Sequence, residues 1–133
     1  MKGLLVIAIS FMLAGCASTS QPAKSAPEVK TGIEVLRDNG FKELQGKRVG
    51  LVTNPTGVDR NLVSTVDILA NAEGVELVAL YGPEHGVRGN VHAGGHVDSS
   101  VDPATGLPVY SLYGATRKPT KEMLDSIDVI VYD

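Results

Sequence analysis

A chain of 133 residues with 12 Lys and Arg against 15 Asp and Glu carries a formal charge of −3 at neutral pH. That balance offers no basic face for a nucleic acid, and the absence of Trp and scarcity of Phe leave no aromatic platform for one. The single cysteine excludes an internal disulfide and a cysteine metal cluster.

The chain opens on MKGLLVIAISFMLAGC. Lys2 precedes an apolar run over residues 4–13, broken only by Ser10, and Ala14 and Gly15 stand before Cys16. A basic start, a short apolar core and small residues mark an export leader over residues 1–15, and the run is short for a membrane span. A cysteine at this place resembles a bacterial lipoprotein lipidation site. In that reading Cys16 is acylated and becomes the first residue of the mature chain. Two or more acyl chains make such an anchor stable. Ala17 follows, not Asp, which by resemblance to lipoprotein sorting implies the periplasmic side of a Gram-negative outer membrane. An ordinary secreted protein with a coincidental cysteine is the alternative.

Residues 16–31 are rich in Ser, Ala, Pro and Lys and read as a flexible tether. The remaining ~100 residues suffice for one small domain with a marginal core. Residues 31–39 suit a helix, with Ile33 and Leu36 on one side and Gly40 as its stop. RVGLVT at residues 48–53 is apolar and β-branched, as a strand buried on both faces should be. Asn54, Pro55, Thr56 and Gly57 form a turn. A helix capped by Asp59 or Asn61 then runs to about Asn71, with Leu62, Val66, Leu69 and Ala70 as its apolar stripe. Gly74 ends it, and VELVALY at residues 75–81 is the second strand.

Strand, helix, strand with short connections predicts a βαβ unit with parallel strands. Residues 82–106 read as one long loop holding six glycines, and a loop of that length inside a small domain is usually functional. Residues 109–113 suit a short strand or edge hairpin. Thr120 caps a brief helix to about Ser126, with Met123, Leu124 and Ile127 inward. Residues 128–132 form a third strand of inner-strand composition. An inner strand with nothing after it suggests a piece of a longer protein. The fold class is thus α/β, a Rossmann-like parallel sheet with helices on both faces and only part of the full domain present.

Open parallel sheets bind ligands outside the carboxyl ends of their strands. Asn54 follows the first strand, LYGPEHGVRG at residues 80–89 carries Glu84 and His85 past the second, and Asp133 ends the third. These residues converge on one rim. A carboxyl group over an apolar sheet edge has its acid form favoured by desolvation, and can then protonate a glycosidic oxygen. Glu84 is the candidate catalytic acid. His85 would orient it or bind a hydroxyl, and Arg88 would hold a substrate carboxylate in a forked pair. The competing reading is a local Glu84–Arg88 ion pair that only fixes the loop.

His85, His92 and His96 with Asp98 fit no zinc pattern, because Gly94 and Gly95 oppose a helix there. No metal site is assigned. The dinucleotide and phosphate-loop fingerprints and the serine-elbow motif are missing. Tyr110 and Tyr113 could stack on a sugar or cover the sheet edge.

Three stretches carry a resemblance: LVTNPTGVDRNLVSTVDIL at residues 51–69, LVALYGPEHGVRG at 77–89 and VDSSVDPATGLPVYSLYGATRKPTKEML at 97–124. Together they resemble the exo-β-N-acetylmuramidase family over residues 32–133. The resemblance implies a Rossmann-like N-terminal domain, a C-terminal domain beyond this chain and a cleft between them. It implies a glycoside hydrolase releasing terminal N-acetylmuramic acid from the non-reducing end of peptidoglycan fragments, without a cofactor. Glu84 of the GPEHG motif would be catalytic, and Asn54, His85 and Arg88 would line the pocket. The lactyl carboxylate of the sugar would give Arg88 its target. Asn90 and Gly95 depart from the family pattern, where acidic residues are common. Asp133 and Asp98 are candidates for the second carboxyl group that glycosidases commonly use. A non-catalytic peptidoglycan-binding lipoprotein and an inactive truncated product are the alternatives.

Overall fold

The computed structural model describes residues 29–90 and 99–133. The expected leader, Cys16, nearly all of the tether, His92, His96, Gly95 and Asp98 lie outside the described residues.

Helix α1, Gly32–Asp38, starts at Thr31, whose backbone N–H donates to the Glu34 carboxylate at 2.7 Å. That reach-back satisfies a donor with no intrahelical partner. Strand β1, Arg48–Val52, buries Val49, Gly50 and Leu51. Helix α2, Thr65–Ala70, is capped by Ser64, whose hydroxyl accepts from Val66 N–H at 3.2 Å. Strand β2 is Glu76–Gly82. A two-residue β3, Ser100–Val101, then pairs antiparallel with β4, Pro108–Ser111. Helix α3, Lys121–Leu124, leads to β5, Val129–Tyr132.

The strands lie in the order β3-β4-β2-β1-β5, and β4, β2, β1 and β5 are mutually parallel along that order. The chain is α/β, with a mostly parallel sheet of Rossmann-like type. From β1 it winds outward through β2 to β4, then returns past β1 to add β5 on the other side. Strand order therefore reverses between β1 and β5, the place where such sheets form a ligand crevice. Val49, Leu51, Leu77 and Leu80 of the sheet pack with Val66 and Leu69 of α2 in one core that also holds Ile33, Phe41 and Leu44. Each fully buried aliphatic side chain there contributes about 1.5–3 kcal/mol. Gly50 is required by close packing, since a Cβ would lie 2.8 Å from the Tyr81 ring and 3.0 Å from Ile127. The Tyr81 hydroxyl in turn donates to the Met123 carbonyl at 2.5 Å, tying β2 to α3.

Two expectations change. The second helix begins at Thr65 and not near Asn61. The cause is Asp59, whose carboxylate accepts from the backbone N–H groups of Asn61 and Val63 and from Arg37. Those bonds make a local turn that competes with a helical one. Leu62 consequently leaves the apolar stripe and stands 79% exposed with φ of 63°. The short strand near residue 109 forms as expected within an edge hairpin, with β3 on its outer side. The last strand, in contrast, forms the edge of the described sheet, with Ile130 and Tyr132 exposed.

Candidate functional site

Parallel pairing brings the carboxyl ends of β5, β1, β2 and β4 to one rim. The loop after β1 supplies Asn54, whose Oδ1 accepts from Thr56 N–H at 2.8 Å and from its hydroxyl at 2.7 Å. That Asx-type turn fixes the Asn54 side chain and leaves its amide nitrogen as the available donor. Gly57 sits in the same turn, where a Cβ would collide with Thr53 Oγ1 at 2.2 Å and approach Asp133 Oδ2 to 3.2 Å. Asp133 itself donates its N–H to Val52 O at 3.1 Å, and its carboxylate accepts the Thr65 hydroxyl. The end of β5 is therefore docked on the β1 loop and the start of α2. Asn54 and Asp133 occupy the strand-order reversal.

One strand further along, the residues after β2 turn back immediately, with Gly86 N–H donating to Pro83 O at 3.0 Å. His85 at φ 73° and Gly86 at φ 71° are both left-handed. For a non-glycine residue that conformation costs on the order of 1–2 kcal/mol and is characteristic of functional loops. The consequence is that His85 is exposed and Glu84 half-buried, while Val87 enters the core. Pro55 packs over Gly89, where a Cβ would lie 2.8 Å from Pro55 Cγ, so the β1 and β2 loops touch.

Glu84 meets the segment after β4. The Tyr113 hydroxyl hydrogen-bonds its carboxylate, and that bond with the nearby negative charge holds the phenol above its usual pKa. The Arg117 guanidinium acts on the phenol in the opposite sense.

Arg88 corrects an expectation. Its Nε and Nη2 donate to Asp102 at 2.9 Å each, and its Nη1 and Nη2 donate to Asp67 at 2.9 and 2.8 Å. The forked grip expected for a substrate carboxylate is thus made within the chain. The competing reading of an Arg88–Glu84 pair also fails, because Arg88 engages Asp67 of α2 and Asp102 of the β3–β4 hairpin. Two bidentate pairs use both faces of the fork and leave one N–H. Asp102 is buried and further accepts the Thr105 N–H at 3.0 Å and hydroxyl at 2.7 Å. Arg88, then Thr105, hold its carboxyl down at about 2.

Asp67, Asp102 and the contact of Tyr113 with Glu84 were not foreseen. DPATG, residues 102–106, does carry a turn signal that could have marked Asp102 as a buried acceptor. No local pattern pairs it with Arg88. Among the described residues no group of three His, Cys, Asp or Glu side chains could hold a metal ion.

Comparison with known proteins agrees with this architecture. A family model described as "Exo-beta-N-acetylmuramidase NamZ, N-terminal" matches residues 49–133. The chain is 53% identical over 116 residues to the peptidoglycan beta-N-acetylmuramidase NamZ of Bacillus subtilis (strain 168), covering 87% of this chain and 28% of that protein. Crystal structures of two DUF1343 family proteins from Bacteroides fragilis NCTC 9343 are also similar. One is 68% identical with a TM-score of 0.71, covering 78% of this chain and 25% of its own. The other is 31% identical with a TM-score of 0.58, covering 77% and 24%. The chain thus spans about a quarter of the length of the relatives it matches.

Proposed function

The chain belongs to the exo-β-N-acetylmuramidase family, and from that premise we propose that it carries the acid of a glycosidase releasing terminal N-acetylmuramic acid from the non-reducing end of peptidoglycan fragments. Glu84 is that acid. The observation that carries the reading is its position, half-buried just past β2 on the carboxyl rim, beside the loop of β1 that holds Asn54. A carboxyl group so placed can give its proton to a glycosidic oxygen as the bond to the sugar breaks. Asn54, through its amide nitrogen, and exposed His85 bind the sugar's polar groups. Asp133, at the strand-order reversal, binds substrate from the opposite wall and is the candidate for the second carboxyl group. Arg88 acts by fixing the loop that bears Glu84 between α2 and the β3–β4 hairpin.

The test is turnover of a muramic-acid-ended disaccharide by the intact protein. Glu84→Gln is expected to cut kcat by roughly 100-fold or more, the scale of general acid catalysis, while binding persists. Undiminished turnover takes the acid role from Glu84. Binding without turnover in the parent protein supports the non-catalytic reading.

The same proposal attaches the protein to a membrane through acylated Cys16, supported by the leader-like sequence before it. Cys16→Ala should move the protein to the soluble fraction, and retention with membranes removes the anchor.

A further inference from the structure

We propose that Tyr113 is a positioning residue for Glu84, held beside it by strand register; the inference rests on the acid role given to Glu84 above. Strands β2 and β4 pair with Leu80 opposite Val109, Tyr81 opposite Tyr110 and Gly82 opposite Ser111. Glu84 lies two residues past Gly82, and Tyr113 lies two residues past Ser111. Both residues therefore lie just past the carboxyl ends of adjacent parallel strands, Glu84 in the turn that follows β2. Pairing continues past the strand ends, because Leu112 N–H donates to Gly82 O at 2.8 Å. Ser111 then clamps the backbone of Tyr113. Its hydroxyl donates to Tyr113 O at 2.9 Å and accepts from Tyr113 N–H at 3.2 Å. From there the Tyr113 hydroxyl hydrogen-bonds the Glu84 carboxylate.

This contact does more than orient. The bond from a phenol to a carboxylate is stronger than one to a neutral carboxylic acid. As Glu84 passes its proton to the glycosidic oxygen, negative charge grows on Glu84 and the Tyr113 bond tightens. The C–O bond breaks with its electron pair on that oxygen, the leaving sugar keeps the new O–H, and water supplies the hydroxyl at the anomeric carbon and the proton that restores the acid. Tyr113 keeps its own proton throughout. An interaction stronger in the transition state than in the ground state raises kcat and leaves KM alone. Among the described residues the Tyr113 hydroxyl meets Glu84 from the segment after β4, Arg117 acts on that phenol, and His85 follows Glu84 in its own loop. Arg117 brings positive charge to the phenol, which makes its O–H the better donor.

The experiment compares the intact protein with Tyr113→Phe, Glu84→Gln and the double variant on a muramic-acid-ended disaccharide. Tyr113→Phe keeps the ring and removes only the hydroxyl. It should lower kcat roughly 10- to 100-fold with KM within about twofold. In the Glu84→Gln background the same change should cost nothing further. Wild-type kcat in Tyr113→Phe, a loss confined to KM, or an equal loss in both backgrounds overturns the proposal. A dead Glu84→Gln beside a normal Tyr113→Phe removes this inference alone. Undiminished Glu84→Gln removes the parent reading and this one with it.

Discussion

Two arginine forks grip the same sheet from opposite rims. Arg48 opens β1 and grips Asp128, just before β5, through Nε at 3.1 Å and Nη2 at 2.7 Å, with its backbone N–H adding a bond at 2.9 Å. Arg88 lies past the far end of β2 and grips Asp67 and Asp102. The chemistry is the same and the surroundings differ. Arg48 and Asp128 are each 44% exposed, whereas Asp102 is 1% exposed beneath Arg88 at 24%. Water screens the first pair and competes for its hydrogen bonds, so the clamp contributes little beyond aligning two strand starts. The second pair joins three elements around the loop that bears Glu84. Because Asp102 has left water, it depends on Arg88 for its charge to be tolerated. The amino rim is thus closed by an exposed clip, and the carboxyl rim is braced by a buried one.

The largest effect should come from breaking the buried fork. Arg88→Ala leaves Asp102 without its main partner and should destabilise the protein by about 3 kcal/mol, the scale for stripping one side of a buried pair. Denaturant melts read this directly. Arg48→Ala, at the exposed fork, should move the midpoint far less, and equal shifts would erase the distinction between the rims. If Arg88→Ala also lowers kcat after correction for unfolded protein, the brace acts on Glu84 as well as on stability.

A smaller effect should appear in acid. The Asp102 carboxyl is held down to about 2, chiefly by its hydrogen bonds with Arg88. A carboxyl lowered on folding contributes stability that is fully present above its unfolded value of about 4. That contribution, on the order of 2 kcal/mol, is lost as pH falls through about 2. Stability measured between pH 5 and pH 2 should therefore fall in the native protein and fall less in Asp102→Asn. Parallel curves would show that the buried fork does not govern acid sensitivity.

The βαβ core was legible because burial and local chemistry agreed. RVGLV at β1 and ELVALYG at β2 are apolar enough to be recognised as buried parallel strands, and the turn residues between them marked their ends. Reading failed where a side chain competed with the backbone. Asp59 took the N–H groups of a would-be helical turn, and α2 began at Thr65 instead, capped by Ser64. At the edge of the sheet the expected hairpin formed, with β3 outside β4. At the site, Glu84 stood out because a carboxylate amid Gly and Pro after a buried strand is a local pattern. The true partners of Arg88 did not, being 21 positions back and 14 positions on along the chain.

The order of residues alone determined the alternation of elements, the turn after each strand and the presence of an acid at a strand end, because each follows from the chemistry of near neighbours. Only tertiary structure decided which charges meet. Strand register brought Tyr113 beside Glu84, and folding turned Arg88 inward to neutralise buried Asp102, because the pairing of distant groups depends on shared low-polarity space and not on spacing along the chain.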